Sequence, residues 1–419
     1  MPEIIQIFYM LVVFLLFYVS PFSIIKSNKN NFYFNLIINL NFLLFFSILP
    51  LPITKYSLYI LLVLFFIFIK NSFLTKKNIM EIKIDKIRII LMISSFFIIS
   101  VQVISKLELG WDAKWFWYIK SLYYTQNKTF ADLSTYVYND FHPHLGSFIW
   151  SFFRNLSING YEYTGRLFYI FYYIVGIHFI SNNIFKNKIK NEILFICLLI
   201  LTQKYIYFSG LQEILIFTTL IFISKFILIF LTERKFIYLF FIALSINLLI
   251  WFKAEGIAYA TIVLLIVNSI SKLNIKFRVY FNSLFILIIL LKISIYKYFK
   301  IKINDQPYSL EYLLSLDFQT LTYKLYNITI HLSYYSIKNI ILFITGIIIV
   351  LSYRKILKDE YLRLIVLFFI SNIIFIFSAY IMRDMEIVYS LKTTIDRLVF
   401  ASSGFYLVFL VREIRKYVS

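Results

Sequence analysis

Long apolar runs separated by short polar intervals repeat along the whole of this 419-residue chain. A transmembrane helix needs about 17–25 predominantly apolar residues. By that measure spans are expected near 4–25, 31–49, 56–69, 89–105, 162–182, 192–209, 213–231, 236–251, 256–271, 279–297, 337–352, 364–381 and 393–411. The pattern predicts an all-α, polytopic integral membrane protein with about 13 transmembrane helices.

The polar intervals are unequal, and the longest runs from 106 to 161. Inside it, 144–153 is apolar and helix-like, yet a full span there would put Lys186 to Lys190 outside. An interfacial or re-entrant helix is expected instead, anchored by Trp150 and Arg154. The expected organisation is one membrane domain over 1–419: N-terminal helices to 105, an external catalytic loop with interfacial helices over 106–161, and a helical bundle over 162–419 with a second external loop at 298–336. Met1-Pro2-Glu3 runs straight into apolar sequence without a basic n-region or a small-residue cleavage site, so a retained helix is expected.

Lys and Arg number 42 against 21 Asp and Glu, a formal net charge of +21. Such a balance would suggest nucleic acid in a soluble protein. Here the basic residues cluster between alternate spans: Lys26/Lys29, Lys70 to Arg88, Lys186 to Lys190, Arg234/Lys235, Lys272 to Arg278, Arg354 to Arg363, and Arg412 to Lys416. All seven clusters fall on one side of the thirteen-span layout, which the positive-inside rule assigns to the cytoplasm. The N-terminus is then outside, the C-terminus inside, and no nucleic-acid partner is expected. The single Cys197 lies in an apolar run, which excludes a disulfide framework and a cysteine metal site.

With 61% hydrophobic residues, 48 Phe and 34 Tyr, an individual aromatic carries little information. Rare residues carry more, and they gather on the outer side of the layout. All five Trp lie there: Trp111, Trp115, Trp117, Trp150 and Trp251. With them are Asp112, His142-Pro143, Glu213, the turn Lys253-Ala254-Glu255-Gly256, Arg383-Asp384 and Asp396-Arg397. A charged residue at the bilayer centre costs about 2.5–3.5 kcal/mol, so acids near helix ends imply a polar cavity or interfacial water. Each motif also has an ordinary explanation. The tryptophans suit an interfacial belt, Glu213 a favourable helix N-terminus, Lys253 and Glu255 a mutual pair, and His142-Pro143 a helix start. Their shared side and their order favour one site. His142 and His144, two apart, would face opposite sides of a strand and are weak evidence for metal.

The order Trp111-Asp112-Ala113, Trp115, Lys120, His142-Pro143, Glu213 and Lys253-Ala254-Glu255-Gly256 resembles multipass GT-C glycosyltransferases. It is most similar to bacterial members related to protein O-mannosyltransferases and aminoarabinose transferases. By that resemblance Asp112 matches the first-loop aspartate, Lys120 the lysine of the following helix, His142-Pro143 the element closing the loop, and Glu213 the second acidic residue. Ile395-Asp396-Arg397-Leu398 is similar to a C-terminal Leu-Asp-Arg-Leu. His144-Leu145-Gly146 departs from the usual acidic-Tyr-Pro, and Ala254 stands in place of Asn.

The resemblance implies transfer of a sugar from a polyprenyl-phosphate donor to a glycan, lipid or protein acceptor. The reaction would be inverting, at the outer face of a bacterial cytoplasmic (inner) membrane. In that reaction Asp112 would be the general base, with Trp111 and Trp115 stacking on sugar and partly covering the carboxylate. His142 would position acceptor or phosphate. Arg383, Arg397 and Lys253 would meet the phosphate, and Glu213 and Glu255 would bind acceptor hydroxyls or hold those cations. No cofactor is expected. A divalent metal is the less favoured alternative, because hard cations prefer several oxygen ligands and Glu213 is a single carboxylate. Two rivals are a transporter or flippase of lipid-linked glycans and an O-antigen polymerase or ligase. The first predicts broken helices in matching positions of two halves; the second predicts arginines in a late external loop, and 298–336 has none.

Overall fold

A computed structural model describes residues 2–19, 31–74, 86–106, 108–135, 140–271, 273–302 and 310–418. Every element assigned among them is helical. Apolar sequence in a membrane leaves the backbone no outside partners, and a helix satisfies its N–H and C=O groups internally. Lys26, Lys29, Lys76, Lys77, Lys83, Lys272 and Asp305 lie outside the described residues.

The chain divides into two compact units. The first comprises Met1–Thr218, Trp251–Lys253 and Phe299–Ile301. Its helices are α1 (Pro2–Val19), α2 (Asn31–Ile48), α3 (Ser57–Leu74), α4 (Lys86–Lys106), α5 (Ile119–Thr125), α6 (Leu145–Asn155), α7 (Glu162–Ser181), α8 (Lys188–Thr202) and the first turn of α9 (Glu213–Glu233). At its centre is α6, the segment expected to be interfacial or re-entrant. Residues 145 to 153 are all buried, against α5 and α7 above all. It is a core helix: Trp150 is buried and its indole N–H donates to Glu162 O at 2.8 Å. Phe153 stacks on Phe168, ring centroids 4.4 Å apart, and Phe14 meets both rings edge-on.

The second unit comprises Thr219–Ile250, Ala254–Tyr298 and Lys302–Ser419. It holds most of α9 and of α10 (Phe236–Phe252), then α11 (Gly256–Asn268), α12 (Ile275–Tyr298), α13 (Leu310–Ser315), α14 (Phe318–Lys338), α15 (Ile340–Leu351), α16 (Glu360–Ile381) and α17 (Ile387–Val418). The long α17 packs against α14, α15 and α16. Phe368 of α16 stacks flat on Phe405 of α17 with centroids 4.0 Å apart. Two features bear on the expected layout here. The second half of the interval expected as an external loop, 298–336, is helical, α14 beginning at Phe318. The run 337–352 does not continue as one straight span, because α14 and α15 meet at 98°. Asn339 makes that break, its side chain accepting from Leu342 N at 3.2 Å as the cap of α15.

Five described helices are long and apolar enough to cross a membrane: α4, α9, α12, α16 and α17. The bent α14–α15 pair makes six if it counts as one span, and five further apolar helices are shorter. The basic clusters meet in space within each unit. Arg88 pairs with Glu192 at 2.8 Å in the first. In the second, Arg234 pairs with Glu360 and Arg412 with Asp359, both at 2.9 Å.

Candidate functional site

Asp112 sits at the start of a short helix, where the N-terminal dipole favours a carboxylate. The helix opens with a π-helical stretch, Ala113–Tyr118, before passing into α5. Such wide turns recur at functional sites. The turn carrying Asp112 is tied to the turn that leads into Glu213. Gly110 N donates to Ser209 O at 2.9 Å, and the buried Arg166 donates to both Glu108 O (3.1 Å) and Phe208 O (3.2 Å). Gly210 has φ +89°, and a Cβ there would lie 2.8 Å from Trp150 and 2.9 Å from the Ala113 Cβ. Only glycine combines that backbone with so close an approach. Asp112 and Glu213 therefore belong to two adjoining turns.

Aromatic rings extend from this turn to His142. Trp111 is 67% exposed and Trp115 45% exposed, whereas Trp117 is buried. Trp111 meets Phe116 edge-on at 5.6 Å, and Phe116 lies 4.9 Å from the His142 ring. Trp117 and Phe141 complete the cradle at 5.4 Å and 4.3 Å. Two indoles are thus open to a ligand, and Asp112 itself is half-buried. Burial, with the charges of Lys120 and Lys253, pushes the His142 imidazole from 6.5 down to about 2. Held neutral, it can donate or accept a hydrogen bond but contributes no positive charge. Its Nδ1 is buried with no hydrogen-bond partner among the described residues.

Lys120 lies in α5, the helix that follows Asp112. It is buried, and its ammonium donates to His142 O at 2.5 Å and to Asp140 O at 3.4 Å. It clamps the end of the loop and positions His142. Lys253 forms a buried ion pair with Glu213, Nζ to Oε1 at 2.8 Å. Glu213 is held from behind as well. The preceding Gln212 donates to Tyr169 OH at 3.0 Å, which donates to Gly146 O at 3.0 Å. A Cβ on residue 146 would lie 1.6 Å from Gln212 Oε1, so any larger residue there must displace the Gln212 amide. His144 is buried two residues earlier, its Nε2 2.7 Å from Ser47 Oγ and its ring 5.3 Å from Trp251. It joins α6 to α2 and is well separated in environment from His142.

The remaining expected site residues belong to the second unit. Glu255 lies in the turn between α10 and α11. That turn is tight: a Cβ on Gly256 would fall 1.8 Å from Leu249 O. Arg383 follows α16 in a turn that the buried Lys324 fixes through Ile381 O (3.2 Å) and Arg383 O (2.7 Å). Arg397 stands within α17, which begins at Ile387, so Ile395–Leu398 is helix interior and not a helix start. Asp112, His142, Glu213, Trp111, Trp115, Lys120 and Lys253 fall in the first unit, and Glu255, Arg383 and Arg397 in the second. Among the described residues no three His, Cys, Asp or Glu side chains form a group that could hold a metal ion.

Two residues that organise this site went unnoticed in the sequence, Arg166 and Tyr169. Arg166 left a usable signal. It is an arginine inside an apolar run, and such residues pair inward. It forms an ion pair with Glu162 one turn earlier. Comparison with family models, with curated proteins and with solved structures returned no match for this chain.

Proposed function

We propose that this chain is a membrane glycosyltransferase that moves a sugar from a polyprenyl-phosphate carrier to an acceptor outside the cytoplasm. The observation that carries the reading is the Gly110–Ser209 hydrogen bond, which joins the turn of Asp112 to that of Glu213 beside two exposed indoles. Two acids in adjoining turns with open aromatic faces suit a carbohydrate hydroxyl and a sugar ring. In the proposed step the acceptor oxygen attacks the anomeric carbon, and Asp112 takes the hydroxyl proton. The bond from that carbon to the phosphate oxygen breaks, and the electron pair leaves with the lipid phosphate. Glu213, held by Lys253, is proposed to orient the acceptor, and neutral His142 to offer it a hydrogen bond. The resemblance in sequence makes Arg383 and Arg397, both of the second unit, candidate phosphate partners, Arg being suited to bidentate contact.

The thirteen-span layout, the outward-facing site and a bacterial cytoplasmic membrane belong to the same proposal. The ion pairs between basic clusters support it, since they bring together loops that the positive-inside rule assigns to one side. The bend at Asn339 favours the rival transporter reading, in which broken helices line a path. That reading expects a matching break in the other half. Mass spectrometry of lipid extracts from cells with and without the protein separates the two. A transferase predicts that its absence leaves one polyprenyl-phosphate monosaccharide in excess. Unchanged monosaccharide lipids, with a longer lipid-linked glycan trapped inside, would replace it with the transporter.

A further inference from the structure

A second polar cavity, of about 500 Å³, opens within the first unit away from Asp112. It lies between the 3-10 turn Ile53–Tyr56 that leads into α3, the end of α5 and the turn after α6. Lys55, Ser57, Thr125, Arg154, Asn155 and Ser157 supply its polar lining, and no carboxylate lines it. The walls are fixed by bonds between those elements. Asn155 Nδ2 donates to Thr54 O at 3.0 Å, and Thr125 Oγ1 lies 3.0 Å from Ser151 Oγ.

Arg154 is held in a set pose. Its Nε donates to Gly160 O at 2.7 Å, and its guanidinium lies 5.9 Å from the centroid of the Tyr118 ring. Its Nη1 is buried and has no hydrogen-bond partner among the described residues. Glu162, whose charge reaches Arg154, makes its own ion pair with Arg166. With its Nε committed to Gly160 O, the Arg154 guanidinium and the Lys55 ammonium give this carboxylate-free lining a positive charge that suits an anion. The hydroxyls of Ser57 and Ser157 donate to Thr54 O and Arg154 O, which leaves recognition to the two cations.

The surroundings indicate how the anion arrives. Leu58 lines the cavity and is exposed, as are the neighbouring Tyr56, Tyr59 and Ile158. Tyrosines and aliphatic residues around a cationic recess are the composition of a membrane–water interface. Arg recognises phosphate oxygens bidentately, and Lys adds a point charge.

We propose that this cavity binds the phosphate of an anionic phospholipid headgroup, with Arg154 and Lys55 on the oxyanion and the acyl chains along Leu58 and Tyr59. The test is native mass spectrometry of the detergent-purified full chain titrated with dioleoyl phosphatidylglycerol, with dioleoylglycerol as the phosphate-free control. Wild type should hold the phospholipid about tenfold more tightly than the control, and Arg154→Gln and Lys55→Glu should each abolish most of that preference. Lys55 is exposed, so Lys55→Glu keeps the test valid if Arg154→Gln misfolds. Equal retention by wild type and Lys55→Glu would overturn the site. Thermal stabilisation by inorganic phosphate with no preference for phosphatidylglycerol would overturn the lipid and leave a soluble phosphate as its ligand.

Discussion

Lys253 reaches Glu213 across 40 positions of sequence to form an ion pair 2.8 Å long, with the Glu213 side chain only 1% exposed. A pair so deeply placed contributes less as an attraction than it threatens when halved. Removing one partner strands a buried charge and costs about 3–5 kcal/mol, whereas replacing both by apolar residues of similar size is often neutral. Glu213→Leu or Lys253→Met alone should therefore sharply lower the midpoint of thermal denaturation in detergent. The double variant should recover most of the loss. Additive losses would mean that the two side chains do not act as a pair.

Gly146 and Gln212 make a second coupled position. A methyl group on residue 146 would sit 1.6 Å from the Gln212 amide oxygen, and the neighbours of that amide are fixed by Tyr169. Gly146→Ala should destabilise the protein by about 1–3 kcal/mol through overpacking. Shortening the partner in Gly146→Ala/Gln212→Ala should restore part of it. A single variant as stable as wild type would show that Gln212 can leave its place freely.

His142 gives the fold a pH dependence with a definite sign. Its folded pKa, about 2, lies below the ordinary 6.5 because burial and two nearby ammonium groups disfavour the imidazolium. The unfolded chain thus binds the extra proton, and stability falls as pH drops below about 6.5. The slope is about 1.4 kcal/mol per pH unit, or about 2 kcal/mol between pH 6.5 and 5. Denaturation of wild type and His142→Phe at a series of pH values should show a flatter profile for the variant. Identical profiles would mean that folding leaves the His142 pKa unchanged.

Much of this architecture is legible in apolar run length, and the failures have physical causes. The interval 298–336 reads as an external loop because Thr, Asn, Tyr, His and Ser are spread through it, but the 3.6-residue geometry of α14 tolerates such side chains where they are exposed or cap locally. The bend at Asn339 hides because one capping amide suffices to start a new helix inside a polar-to-apolar transition. Helix α6 reads as interfacial or re-entrant because its Trp and Arg suit an interface. That α5 and α7 cover it along 145–153 is set by tertiary packing, which run length does not reveal. For the candidate site, Asp112, His142 and Glu213 stand out by rarity. That Lys120 donates to the His142 and Asp140 carbonyls is not legible in the sequence, because it depends on how the loop returns to α5.

Sidedness is open to direct chemistry. Gln126 is exposed just after α5, in the loop proposed to face outward. Gln126→Cys, in a Cys197→Ser background that removes the exposed native thiol, should react with a membrane-impermeant maleimide in intact cells. Reaction only after permeabilisation would place Asp112 and its neighbours in the cytoplasm.

The transfer reaction itself rests on Asp112. Asp112→Asn keeps the size of the side chain and removes its basicity, so folding and membrane insertion should be retained while proton abstraction is lost. The decisive measurement is the amount of polyprenyl-phosphate monosaccharide in cells that carry Asp112→Asn in place of the wild-type chain, at equal protein level. The account predicts accumulation as large as in cells lacking the protein. Wild-type lipid levels in the Asp112→Asn cells would contradict it.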